Sequence, residues 1–126
     1  MSEEKIKVLL VEDDQAISDM YKLSLEDNGF EVLLTEKGSE AIELARGQKP
    51  AIILLDVILP EVDGFNILQT LKANTETQKI PILLLTNLGQ ESDQERGKEL
   101  GAAAYLVKSQ HTPSEVINEI KNILSE

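Results

Sequence analysis

The 126-residue chain is 41% hydrophobic with only two Tyr and two Phe, so it suits one domain built on an aliphatic core. Its 23 acidic and 12 basic side chains leave a formal net charge of −11, and no Lys/Arg stripe forms, which argues against direct nucleic-acid binding and against attachment to an anionic membrane. The absence of cysteine excludes disulfides, thiol catalysis and thiolate zinc sites.

The N-terminal Met-Ser-Glu-Glu-Lys carries no signal-peptide pattern. The first apolar run, Val8–Val11, is continuous, as expected of a strand buried on both faces of a parallel sheet. Ile17, Met20, Tyr21, Ser24 and Leu25 then share one face at helical spacing, and Asn28-Gly29 supplies the stop. Val32–Leu34 reads as a second strand. Ala41, Ile42, Leu44 and Ala45 mark a second helix, with Gly47 and Pro50 expected to end it. Ala51–Leu55 is a third strand, and Asp63 is placed to cap a helix bearing Gly64, Phe65, Leu68 and Leu71. Ile82–Leu85 is the fourth strand. From Gln90 to Glu99 there is no apolar side chain, so a fourth helix there can bury little and is expected to be mobile. Ala102–Val107 is the fifth strand. Thr112-Pro113-Ser114-Glu115 then reads as a capping box with proline at the first helical position, ahead of a stripe of Val116, Ile117, Ile120, Ile123 and Leu124. The apolar runs are too short to span a bilayer, and the cytoplasm is the expected location.

Five strands alternating with five helices predict a doubly wound, flavodoxin-like α/β fold with a five-stranded parallel sheet, over a single domain of residues 1–126 with no output domain. In such sheets the functional crevice lies at the carboxyl ends of the strands, where strand order reverses. Here those ends carry Glu12-Asp13-Asp14, Asp56, Thr86-Asn87 and Lys108. Clustered carboxylates repel one another unless a cation neutralises them. Hard oxygen ligands of this kind suit Mg²⁺, with Mn²⁺ as a substitute, and leave room for phosphate oxygens. A carboxylate nucleophile, a metal, an ammonium and a hydroxyl make up a phosphoryl-transfer constellation.

Val-Glu-Asp-Asp at 11–14, Leu-Asp-Val-Ile-Leu-Pro-Glu-Val-Asp-Gly at 55–64, Leu-Thr at 85–86 and Tyr-Leu-Val-Lys at 105–108 resemble the motifs of a response regulator receiver domain, in correct order over essentially the whole chain. The resemblance implies that Asp56 is the phosphoacceptor and that Asp13 ligates Mg²⁺ directly and Glu12 through water. The backbone carbonyl of Ile58 joins Asp56 in completing the metal's protein ligands. Thr86 is the implied switch hydroxyl, Tyr105 the switch aromatic and Lys108 the phosphate-contacting cation. Pro60 and Gly64 shape the loop into the third helix. The implied function is a signalling switch, not an enzyme beyond its own phosphotransfer and autodephosphorylation. Its phosphoryl group comes from the phosphohistidine of a sensor histidine kinase or a histidine phosphotransfer protein. The signal leaves through contacts with a downstream protein target, from a monomer or a phosphorylation-dependent dimer. Ile58 and Leu88, each two residues past a key position, are apolar and predict slow loss of phosphate.

Two other readings fit less well. An aspartate-nucleophile phosphatase of the haloacid dehalogenase type requires Asp-x-Asp-x-Thr after the first strand, and Glu12-Asp13-Asp14-Gln15 does not match. A receiver kept only as a binding module would not need the full set of acids, Thr86 and Lys108. His111, the single histidine, reads as a loop residue. One departure from the family is Ser109, where receivers usually carry proline after the lysine. A cis bond before a non-proline residue costs about 2.5–4 kcal/mol, so a trans Lys108-Ser109 peptide is expected, with Lys108 still aimed at Asp56 through a rearranged, longer connection.

Overall fold

Alternation within the apolar runs sets the architecture. Leu9, Val11, Ile53, Leu55, Ile82 and Leu84 face one side of the sheet, and Val8, Leu10, Ile52, Leu54, Leu83 and Leu85 face the other. Both sides must therefore be covered. In the computed structural model, which describes residues 5–125, the elements are β1 (Ile6–Val11), α1 (Gln15–Asp27), β2 (Phe30–Thr35), α2 (Gly38–Gln48), β3 (Ile52–Leu55), α3 (Gly64–Ala73), β4 (Ile82–Thr86), α4 (Glu91–Glu99), β5 (Ala104–Val107) and α5 (Pro113–Leu124). The N-terminal residues 1–4, read above for a targeting signal, lie outside the described part. All strand pairs are parallel, in the order β2-β1-β3-β4-β5. The doubly wound fold expected from the sequence is thus the one observed.

Tyr21 and Leu25 of α1 and Val116, Ile117 and Ile120 of α5 bury against one face of the sheet. Ala41 and Ala45 of α2 and Phe65, Ile67, Leu68 and Leu71 of α3 bury against the other. Each Val, Leu, Ile or Phe side chain so buried contributes roughly 1.5–3 kcal/mol. No helix among the described residues is long and apolar enough to cross a membrane.

The expected caps form where a side chain reaches an orphan amide. Asp63 accepts from the Phe65 amide at 2.8 Å, and Thr112 and Glu115 complete a reciprocal capping box. Three expectations need correction. Met20 is exposed, and the residues of α1 that bury are Ser18, Tyr21 and Leu25. Gly47 does not end α2. It lies inside the helix, and Lys49 makes the left-handed turn at φ 50°. β5 starts at Ala104, because Ala102 and Ala103 are used in the turn from α4, where their amides bond to Gly97 and Ile82 carbonyls.

Candidate functional site

Strand order reverses beside β1, whose neighbours β2 and β3 are reached by chain segments running in opposite directions along the sheet. The parallel register pairs Val11 with Leu55, so the residues that follow, Glu12 and Asp56, emerge side by side. The Asp56 amide bonds to the Val11 carbonyl at 3.1 Å, and the Glu12 amide bonds to the Thr35 carbonyl at 3.0 Å, fixing both backbones. Oxygens of Glu12, Asp13 and Asp56 all come within 4.8 Å of one another. Glu12 and Asp56 are buried, at 4% and 5% exposure, whereas Asp13 is open to solvent.

Lys108 reaches this cluster from the opposite side. A single 3₁₀ turn, Lys108–Gln110, follows β5, and its first residue points back into the crevice. The Lys108 Nζ donates to Asp56 Oδ2 at 2.7 Å and also to Glu12. The other Asp56 oxygen, Oδ1, accepts from the Ile58 amide at 3.0 Å. No cis peptide occurs among the described residues, so the Lys108-Ser109 bond is trans as expected. The 3₁₀ turn supplies the bend by which the lysine keeps its aim.

Burial pushes the Glu12 carboxyl above its ordinary 4.5, and the Lys108 hydrogen bond only partly opposes this. For Lys108, burial alone would depress the ammonium. The hydrogen bonds to Asp56 and Glu12, with their charges, outweigh it and hold the group above its ordinary 10.5. The ammonium therefore stays charged between two buried acids.

The remaining candidates fall into a second group. Thr86 is fully buried, and its hydroxyl accepts from the Leu88 amide at 3.4 Å. The Tyr105 hydroxyl donates to the Leu88 carbonyl at 2.6 Å. Burial, with the nearby charges of Asp93 and Asp56, pushes the Tyr105 phenol up to about 12. The backbone of Leu88 thus joins Thr86 to Tyr105, a connection that side-chain patterns do not signal. Asp14 stays apart from the acidic cluster as α1's cap, accepting from the Ile17 amide at 3.0 Å. Gly64 has a packing reason. A Cβ there would lie 2.5 Å from Val57 Cα and closer still to the Asp56 carbonyl oxygen. The loop can fold onto the backbone of Asp56 and Val57 only without a side chain at this position.

Residues 8–121 match the family model described as the response regulator receiver domain. The chain belongs to that family. Among curated relatives, the receiver is 38% identical over 104 residues to protein PilH of Pseudomonas aeruginosa, covering 81% of this chain and 84% of that one. It is 41% identical over 102 residues to the DNA-binding dual master transcriptional regulator RpaA of Synechocystis, covering 81% of this chain but only 42% of that protein. The chain thus spans less than half of some curated relatives and most of others. Among solved structures, the receiver domain of sensor histidine kinase PA1611 from Pseudomonas aeruginosa superposes with a TM-score of 0.88 at 26% identity, covering 98% and 100% of the two chains. That structure has a magnesium ion coordinated in its active-site cleft. Receivers bind Mg²⁺ at an acidic site, and the three clustered carboxylates here offer the hard oxygen donors such an ion takes.

Proposed function

We propose that Asp56 accepts a phosphoryl group from a phosphohistidine on a sensor histidine kinase or a histidine phosphotransfer protein. The observation that carries this reading is Asp56 itself. It is a nearly buried carboxylate at the crevice, held by Lys108 on one oxygen and by the Ile58 amide on the other. In the transfer the N–P bond of the phosphohistidine breaks as a carboxylate oxygen of Asp56 forms the new O–P bond. The imidazole nitrogen leaves with the bonding pair and takes up a proton.

Lys108 orients Asp56 beforehand and then neutralises charge on the incoming phosphoryl oxygens, a positioning and electrostatic role. Glu12, Asp13, Asp56 and the Ile58 carbonyl would hold Mg²⁺, which supplies charge compensation for those oxygens when bound. Thr86 turns its hydroxyl to donate to the phosphoryl group, drawing its oxygen away from the Leu88 amide that donates to it. That movement loosens the Leu88 backbone and with it the anchor of Tyr105. The signal then passes to a downstream protein through the face formed by α4, β5 and α5.

Intact-mass measurement after incubation with acetyl phosphate and Mg²⁺ tests the assignment. One added phosphoryl group is expected in the wild type and none in Asp56→Asn. Undiminished labelling of Asp56→Asn would overturn it.

A further inference from the structure

Helix α4 has an unusual attachment to the domain. Its nine residues include no apolar side chain, and its only buried residue is Gly97. Ordinary helices are held by an apolar stripe. Apart from Leu100, the half-buried residue that caps it and packs on the core, this one is held by two neighbouring positions on its last turns.

The first is Gly97. A Cβ there would lie 2.7 Å from Leu84 Cδ1 and 3.0 Å from Tyr105 Cδ2, so the helix backbone itself rests on the Tyr105 ring. The second is Arg96, whose guanidinium carbon sits 4.4 Å from the centroid of the Phe65 ring. Phe65 is 2% exposed, at the start of α3, directly after Gly64, whose backbone lies against Asp56 and Val57. Arg96 and Phe65 also line a groove of about 370 Å³ between α4 and the loop after β3, together with Ile58, Leu88 and Asp93.

We propose that Arg96 is a latch: stacked on Phe65, it keeps α4 closed against the loop that follows Asp56, and through Gly97 it keeps Tyr105 packed beneath the helix. Opening the latch loosens α4 and unpacks the Tyr105 ring in the same event, while the tyrosine hydroxyl is still held by the Leu88 carbonyl. A planar guanidinium over an aromatic face is attracted by the ring quadrupole, and this contact is weak enough at an exposed site to open readily. Because Phe65 adjoins the loop around Asp56, a change there bears on the latch directly. The inference rests on the packing of α4 and does not depend on which residue accepts phosphate.

Amide hydrogen exchange of residues 91–99 in the unmodified protein tests it, with the amides of α1 as an internal reference. Arg96→Gln is a surface change and should speed α4 exchange by about two- to fivefold, the range expected for one exposed cation–π contact. Phe65→Leu keeps an apolar side chain but removes the ring face. The double variant should be no faster than the faster single one, because both remove the same contact. Arg96→Lys should restore part of the protection. The chain has only two tyrosines, and the ring signals of Tyr105 in a ¹³C-tyrosine-labelled sample should shift in step with α4 opening. Unchanged exchange in Arg96→Gln, or effects that multiply in the double variant, would overturn the latch. Faster α4 exchange with unmoved Tyr105 signals would overturn its coupling to the tyrosine.

Discussion

Two buried carboxylates, Glu12 and Asp56, share the single ammonium of Lys108, and a buried ion left without a partner costs several kcal/mol. Replacing Lys108 with Met should therefore destabilise the protein by about 3–5 kcal/mol at neutral pH in the absence of divalent metal. The loss should shrink on acidification. The Glu12 carboxyl is already raised above 4.5 by burial, and a raised acid stabilises the fold below its folded-state pKa and loses that contribution as pH rises through it. Protonating Glu12 removes one of the two uncompensated charges in the variant. Urea unfolding from neutral pH down toward 4.5 checks this; a loss that stays constant or grows would contradict it. Glu12, Asp13, Asp56 and Lys108 were legible because each closes or follows an apolar strand, where a charged residue has few bland explanations. The role of Leu88 was not, since its backbone amide and carbonyl, rather than its side chain, link Thr86 and Tyr105.

At the scale of the elements, a local signal succeeded where it named a hydrogen bond. Thr112 and Glu115 form the capping box their spacing indicated, on the helix with the most regular apolar stripe. Thr112→Ala should cost about 1 kcal/mol, measured by thermal or urea unfolding, without altering phosphoryl labelling. A change below a few tenths would mean that packing of Val116, Ile117 and Ile120 alone holds α5. The signal failed at α2, where Gly47 looked like the stop and Lys49 took the left-handed conformation instead. Pro50 disfavours helix at the residue before it, whatever that residue's own preference. The connection after β5 was legible in outcome but not in form. A trans peptide followed from the cost of the alternative, whereas a 3₁₀ turn at Lys108–Gln110 had no sequence signature.

For the molecule as a whole, sheet order brings the ends of β1 and β3 together, and the consequence is three carboxylates with oxygens within 4.8 Å. A ligand that binds only the folded state stabilises it by RT ln(1 + [L]/Kd), about 2.7 kcal/mol at a hundredfold excess over Kd. Mg²⁺ should therefore raise the melting temperature of the wild type, and Asp13→Ala should remove most of that rise. An equal rise in both proteins would place the metal elsewhere. If Asp56 becomes an acyl phosphate, chemistry can locate it. Borohydride reduction of the protein after acetyl phosphate treatment converts an aspartyl phosphate to homoserine, which peptide sequencing by mass spectrometry can place. Homoserine at position 56, formed only in the presence of Mg²⁺, is the predicted result; homoserine at position 13, or an unmodified Asp56 in a protein that has gained a phosphoryl group, would contradict it.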